Sequence, residues 1–153
     1  MFLLLLVSGC AAPLGHPKFE FHGSNSVSIP FEESAPSYGS LPVIQLSMNG
    51  VVGRFIVDTG ASGPMFTMTA VREWHLSVSD ASGSARMADG SKARAKLVRD
   101  VTLDVAPQIT LHWGEVYVSP ENNSPYFGMI DYHTLKGAHA VIDTSTKTIT
   151  ITR

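Results

Sequence analysis

The run Phe55-Ile56-Val57, followed at once by Asp58-Thr59-Gly60-Ala61-Ser62, constrains this chain more than any other feature. Three apolar residues in a row, two of them β-branched, read as a buried strand. The carboxylate that follows is delivered to the strand's end with dry protein behind it, where burial and neighbours govern its ionisation. Thr59 sets a small hydroxyl beside it, and Gly60 removes the side chain that would hold a second backbone away. The pattern points to acid–base chemistry on a peptide bond, with Asp58 as the candidate catalytic group.

Length and composition bound what surrounds that strand. A chain of 153 residues, 44% of them hydrophobic, builds one domain with a proper core and has no room for two large lobes. Eleven basic residues against 13 acidic ones give a net charge of −2. The basic residues are scattered, which excludes the cationic face that nucleic acid requires. The six histidines and the single cysteine are dispersed, and none falls at a metal-ligand spacing, so neither a metal nor an organic cofactor is expected.

That cysteine, Cys10, follows Phe2-Leu3-Leu4-Leu5-Leu6 and Val7-Ser8-Gly9. The apolar stretch is shorter than the ~20 residues of a spanning helix and reads as an export signal over residues 1–10. Val7-Ser8-Gly9-Cys10 resembles the lipobox of bacterial lipoproteins, which implies lipidation of Cys10 and a membrane anchor. The expected location is the periplasmic face of a bacterial membrane, the outer one favoured by Ala11; a soluble periplasmic protein is the alternative. Residues 11–26, rich in Pro, Gly, Ser and His, read as a flexible tether, and residues 27–153 as the functional domain.

The domain reads as strands. Val27, Ile29 and Phe31 alternate with polar residues. Val43 to Met48 then runs into Asn49-Gly50, a strong hairpin signal, and Val51 to Val57 returns to Asp58. Phe66 to Thr69 reads as a short extended piece and Thr69 to Leu76 as one or two helical turns capped by Thr69, with Trp74 in the core. Ala85, Met87, Ala93, Ala95 and Leu97 alternate with polar residues around Asp89-Gly90, which predicts a half-exposed hairpin. Three further strands are expected over 102–105, 109–111 and 115–118. A short helix ending near Leu135 follows, and then Val141-Ile142, a turn over 143–147 and a closing strand over 148–152.

In order and spacing these parts resemble the retropepsin-like aspartic proteases, single-lobed relatives of pepsin with a bacterial branch. The resemblance runs from about Val27 to Arg153 and rests on Ile29-Pro30-Phe31-Glu32, the Asn49-Gly50 hairpin, Asp58 to Ser62 with its preceding strand, Ala88-Asp89-Gly90-Ser91, Phe127-Gly128-Met129 and Val141-Ile142-Asp143. It implies an all-β, single-lobed barrel with one or two short helices that forms a two-fold homodimer. It makes Asp58 the catalytic carboxylate, Thr59 the interlocking residue beneath it, and Gly60, Ala61 and Ser62 the rest of the supporting loop. Ala88, Asp89 and Gly90 become the tip of a substrate-covering flap. Phe127 and Gly128 belong to the strand threaded behind the loop, where the family commonly carries two aliphatics in place of Tyr126-Phe127.

The chemistry needs two carboxylates in hydrogen-bonding reach, one ionised to activate water and one protonated to polarise the scissile carbonyl, sharing a single proton. Only one Asp-Thr-Gly is present. Asp143-Thr144-Ser145 also follows an apolar pair, but the ten residues after Asp143 are too few to support a second half-site, so that segment reads as a surface turn. A symmetric homodimer pairing two copies of Asp58 supplies the second group, and the closing strand Ile149-Thr150-Ile151-Thr152 is expected at the interface. Ala61 offers no hydroxyl to an ionised carboxylate, which predicts an activity optimum nearer weak acid or neutrality than strong acid. The expected function is an endopeptidase acting on extended polypeptide. The alternatives are a peptide-binding module of the same fold without turnover, and a protease limited to its own processing.

Overall fold

Asn49 and Gly50 both lie in the left-handed region, with φ of 51° and 81°, as a two-residue hairpin turn with right-twisted arms requires. They join β4 (Pro42–Met48) to β5 (Val51–Asp58) in a register running from Met48↔Val51 to Val43↔Ile56. The computed structural model describes residues 17–86, 92–120 and 123–153. The signal segment with Cys10, tether residues 11–16 and the flap tip Ala88, Asp89 and Gly90 lie outside them.

The start of β5 is mostly exposed, but from Phe55 to Asp58 every residue is buried. The cause is a strand on its other side. β10 (Gly128–Asp131) runs parallel to β5 and antiparallel to β6 (Met65–Phe66), so it lies between two strands that are close in sequence. β6 pairs in parallel with β9 (Ile109–Val118), and β9 pairs with β8 (Lys92–Ala106), which returns to β4. The order β9-β6-β10-β5-β4-β8 therefore closes on itself through β8–β9 as a six-stranded barrel, and closure removes the free edges of an open sheet. Its interior holds Leu46, Phe55, Phe66, Leu103, Leu111, Trp113 and Val116, all buried. Trp74 stacks on Phe55 with ring centroids 5.7 Å apart and meets Phe66 edge-on; its indole N–H donates to the Val51 carbonyl at 3.0 Å.

Around the barrel, β7 (Ser79–Arg86) pairs with β8, β3 (Glu32–Glu33) with β4, and Pro36–Tyr38 forms one 3₁₀ turn. A second sheet sets β12 (Thr148–Thr152) between β11 (Val141–Asp143) and β2 (Ser26–Pro30). The helices are α1 (Met68–Glu73) and α2 (Tyr132–Gly137). The architecture is the expected all-β barrel with two short helices.

Several local expectations are corrected. Within the segment read as a tether, Lys18–Phe21 forms β1, antiparallel to β9, because Phe19 and Phe21 pack against the core from its edge. The pieces 109–111 and 115–118 are one strand, and 102–105 is the far end of the 15-residue β8. α1 starts one residue before Thr69 with Thr67 at its N-cap, and neither threonine caps it by side chain. Their hydroxyls donate instead to the Tyr126 and Ser124 carbonyls, which pins the loop ahead of β10. The closing strand β12 is flanked on both sides by its own chain, so it has no open edge to offer a partner.

Candidate active site

Asp58 is the last residue of β5 and is 6% exposed. The chain turns directly after it. The Gly60 N–H donates to Asp58 Oδ1 at 2.8 Å, and the Ala61 N–H donates to the Asp58 carbonyl at 3.2 Å. A Cβ on Gly60 would sit 3.2 Å from Oδ1, crowding the oxygen that its own amide holds. Asp58 Oδ2 is buried and has no hydrogen-bond partner among the described residues. One oxygen is thus fixed by the loop, and the other is withdrawn from water and uncommitted.

The five residues of the motif divide by burial. Ala61 is buried and Ser62 half-buried, whereas Thr59 and Gly60 are exposed at the apex of the turn. Thr59 therefore does not lie beneath Asp58 within one chain.

Behind the loop, Gly128 lies where a Cβ would collide with the Met65 carbonyl and the Phe55 ring. Phe127 covers Gly53, whose missing side chain makes room for the ring, and meets Trp74 edge-on at 5.0 Å. Tyr126 fills a separate small cluster with Val43 and Ile56. Its hydroxyl accepts the Ala35 N–H, and the Arg54 guanidinium lies 5.3 Å from its ring centroid. The aromatic pair is accommodated by Gly53 on one side and by this pocket on the other.

Sequence reasoning missed Asp131. The parallel register of β5 and β10 sets Asp131 directly beside Asp58, and it is 1% exposed. Its carboxylate caps α2: Oδ1 accepts the N–H and the hydroxyl of Thr134, and Oδ2 accepts the His133 N–H. With three donors on its two oxygens, it is committed to the helix. The available signal was Asp131 with a hydroxyl three residues on, an N-cap pattern hidden beside the apolar run Met129-Ile130. Asp143, by contrast, is the turn residue expected. Exposed at the end of β11, its Oδ1 accepts the Ser145 hydroxyl and the Ser145 and Thr146 N–H groups, which hold its pKa down at about 2.

Two surface grooves, of about 500 and 420 Å³, run beside β2 and beside the β8–β9 turn; none of residues 58–62 lines either. No group of three or more His, Cys, Asp or Glu side chains is gathered as a metal site among the described residues.

A family model described as aspartyl protease matches residues 44–130, more than half of the chain. No curated protein matches the sequence. Among solved structures the fold is similar to a retropepsin-like aspartic protease from Rickettsia conorii, at 15% identity and a TM-score of 0.50, over 88% of this chain and 91% of that one. The barrel, the threaded β10 and the buried aspartate at the end of β5 agree with both findings, and the chain belongs to the aspartyl protease family, with a retropepsin-like fold.

Proposed function

We propose that the protein is an aspartic endopeptidase whose catalytic pair is Asp58 of two chains related by a two-fold axis. The observation that carries this reading is the state of the Asp58 carboxylate, with Oδ1 held by the Gly60 amide and Oδ2 buried without a partner. Leaving a buried polar atom unpaired costs about 1–3 kcal/mol, and a second Asp58 sharing one proton with the first would satisfy it. Asp131 cannot take that role, because the first turn of α2 occupies both of its oxygens. The exposed Thr59-Gly60 apex is the part of the loop such a pairing would cover.

In the pair, one carboxylate takes a proton from water as the water attacks the scissile carbonyl, while the protonated partner donates to the carbonyl oxygen. The resulting gem-diol collapses with proton transfer to the leaving nitrogen, and no covalent enzyme intermediate forms. The substrate is an extended polypeptide laid across the joint cleft. Acylation of Cys10 on the periplasmic side of a bacterial membrane is part of the same reading. Loss of fatty-acid label in a Cys10→Ala chain would support it, and retained label would refute it.

Mixed dimers of wild-type and Asp58→Asn chains, purified through two different tags and assayed on denatured casein, test the shared pair. Their expected activity is at background, and specific activity of the wild type should fall on dilution as dimers separate. Cleavage by the mixed dimer, or by a strictly monomeric species, would overturn the proposal. Binding of casein without cleavage would point to the module without turnover.

A further inference from the structure

We propose that Asp131 and Thr134, which nothing known of the chain assigns, are positioning residues that hold the catalytic turn through the first turn of α2. The proposal rests on the protease reading of Asp58 and adds a device that governs its geometry.

The connection is continuous. Trp113, buried inside the barrel on β9, donates its indole N–H to the Thr134 hydroxyl at 3.1 Å. That hydroxyl donates in turn to Asp131 Oδ1, so its donor and acceptor roles are fixed from both sides. Asp131 then holds the His133 and Thr134 amides and sets where α2 begins. The first amide of that helix, Tyr132 N–H, donates to the Ala61 carbonyl at 3.3 Å. Ala61 is the last member of the turn in which the Gly60 amide meets Asp58 Oδ1. A rigid barrel residue is thereby linked to the reacting carboxylate through one hydroxyl, one cap and one amide.

The register strengthens the case. Asp58 and Asp131 end neighbouring parallel strands at the same level, so the turn leaving β5 and the helix leaving β10 start side by side. An uncapped α2 would let its first turn fray, and the Tyr132 amide would lose its aim at Ala61. Displacements of about 1 Å at a reacting group can cost on the order of a hundredfold in rate.

The variants are Thr134→Val, which keeps the shape but deletes the hydroxyl, and Thr134→Ser, which restores it. Ile109→Val, a buried change at the far end of β9, serves as a stability control. Two measurements are made on each folded chain: kcat and KM on a casein-derived peptide, and hydrogen exchange of the Gly60 amide. Thr134→Val should lower kcat by about tenfold to a hundredfold with little change in KM and speed Gly60 exchange, with both recovered in Thr134→Ser and neither altered in Ile109→Val. Unchanged Gly60 exchange in Thr134→Val, or an equal kcat loss in the control, would overturn the proposal. If the wild type cleaves nothing, the protease reading fails by itself, and Gly60 exchange still decides whether the helix holds the turn.

Discussion

Gly53 and Phe127 lie far apart in the chain, yet each is intelligible only through the other. The ring occupies the space that a Cβ on Gly53 would take, so a glycine inside a strand, ordinarily unfavourable, is here the socket for an aromatic. Gly53→Ala should destabilise the fold by about 1–3 kcal/mol through overpacking. Phe127→Leu alone should cost a similar amount through lost burial. The double variant should lose less than the sum, with a coupling of about 1 kcal/mol or more; urea denaturation of the four proteins measures it, and strict additivity would show that the contact is not the reason for the glycine. Gly128 is crowded by backbone as well as by the Phe55 ring. Its added Cβ would meet the backbone carbonyl of Met65, so Gly128→Ala should be the more damaging change, and no single partner substitution should rescue it.

At the level of elements, what could be read in advance follows the range of the interactions involved. The β4–β5 hairpin was legible because period-two alternation and Asn49-Gly50 are local signals, and Asp58 was legible because its buried strand precedes it directly. β1 was not, because four residues flanked by Pro17 and Gly23 acquire strand character only from the edge of β9, some ninety residues away. Asp131 escaped for a related reason: its place beside Asp58 is a property of the parallel β5–β10 register, which no local pattern encodes. The β11–β12 turn is local, and its pH dependence has a definite sign. Asp143 has its pKa lowered from 3.8 to about 2 by the Ser145 hydroxyl first and by the Thr146 and Ser145 amides with it. Its contribution is complete above pH about 4 and disappears as pH falls through about 2. The melting temperature of Asp143→Asn should therefore lie below that of the wild type at neutral pH and converge on it between pH 4 and 2. A gap unchanged across that window would show that the turn does not select the ionised form.

On the scale of the whole molecule, the barrel's closure leaves β1 as an outer layer on β9, held by its backbone pairing and by the half-buried rings of Phe19 and Phe21, while the exposed Lys18–Glu20 pair lies within β1 itself. The ammonium of Lys18 draws the Glu20 carboxyl below its usual range, but so exposed a pair adds little stability. The rings should carry the attachment, with Phe21→Ala costing about 1 kcal/mol and raising amide exchange along β9 while leaving peptide cleavage intact. Loss of cleavage in that variant would tie β1 to the catalytic face. The second sheet has a different consequence. β12 is already zipped between β11 and β2, so a synthetic decoy copying Thr148–Thr152 finds no slot to compete for. Under the proposed pairing of two Asp58 residues, a compound meant to keep the chains apart would be aimed at the Thr59-Gly60 crest, and its potency would then weaken as the protein is concentrated.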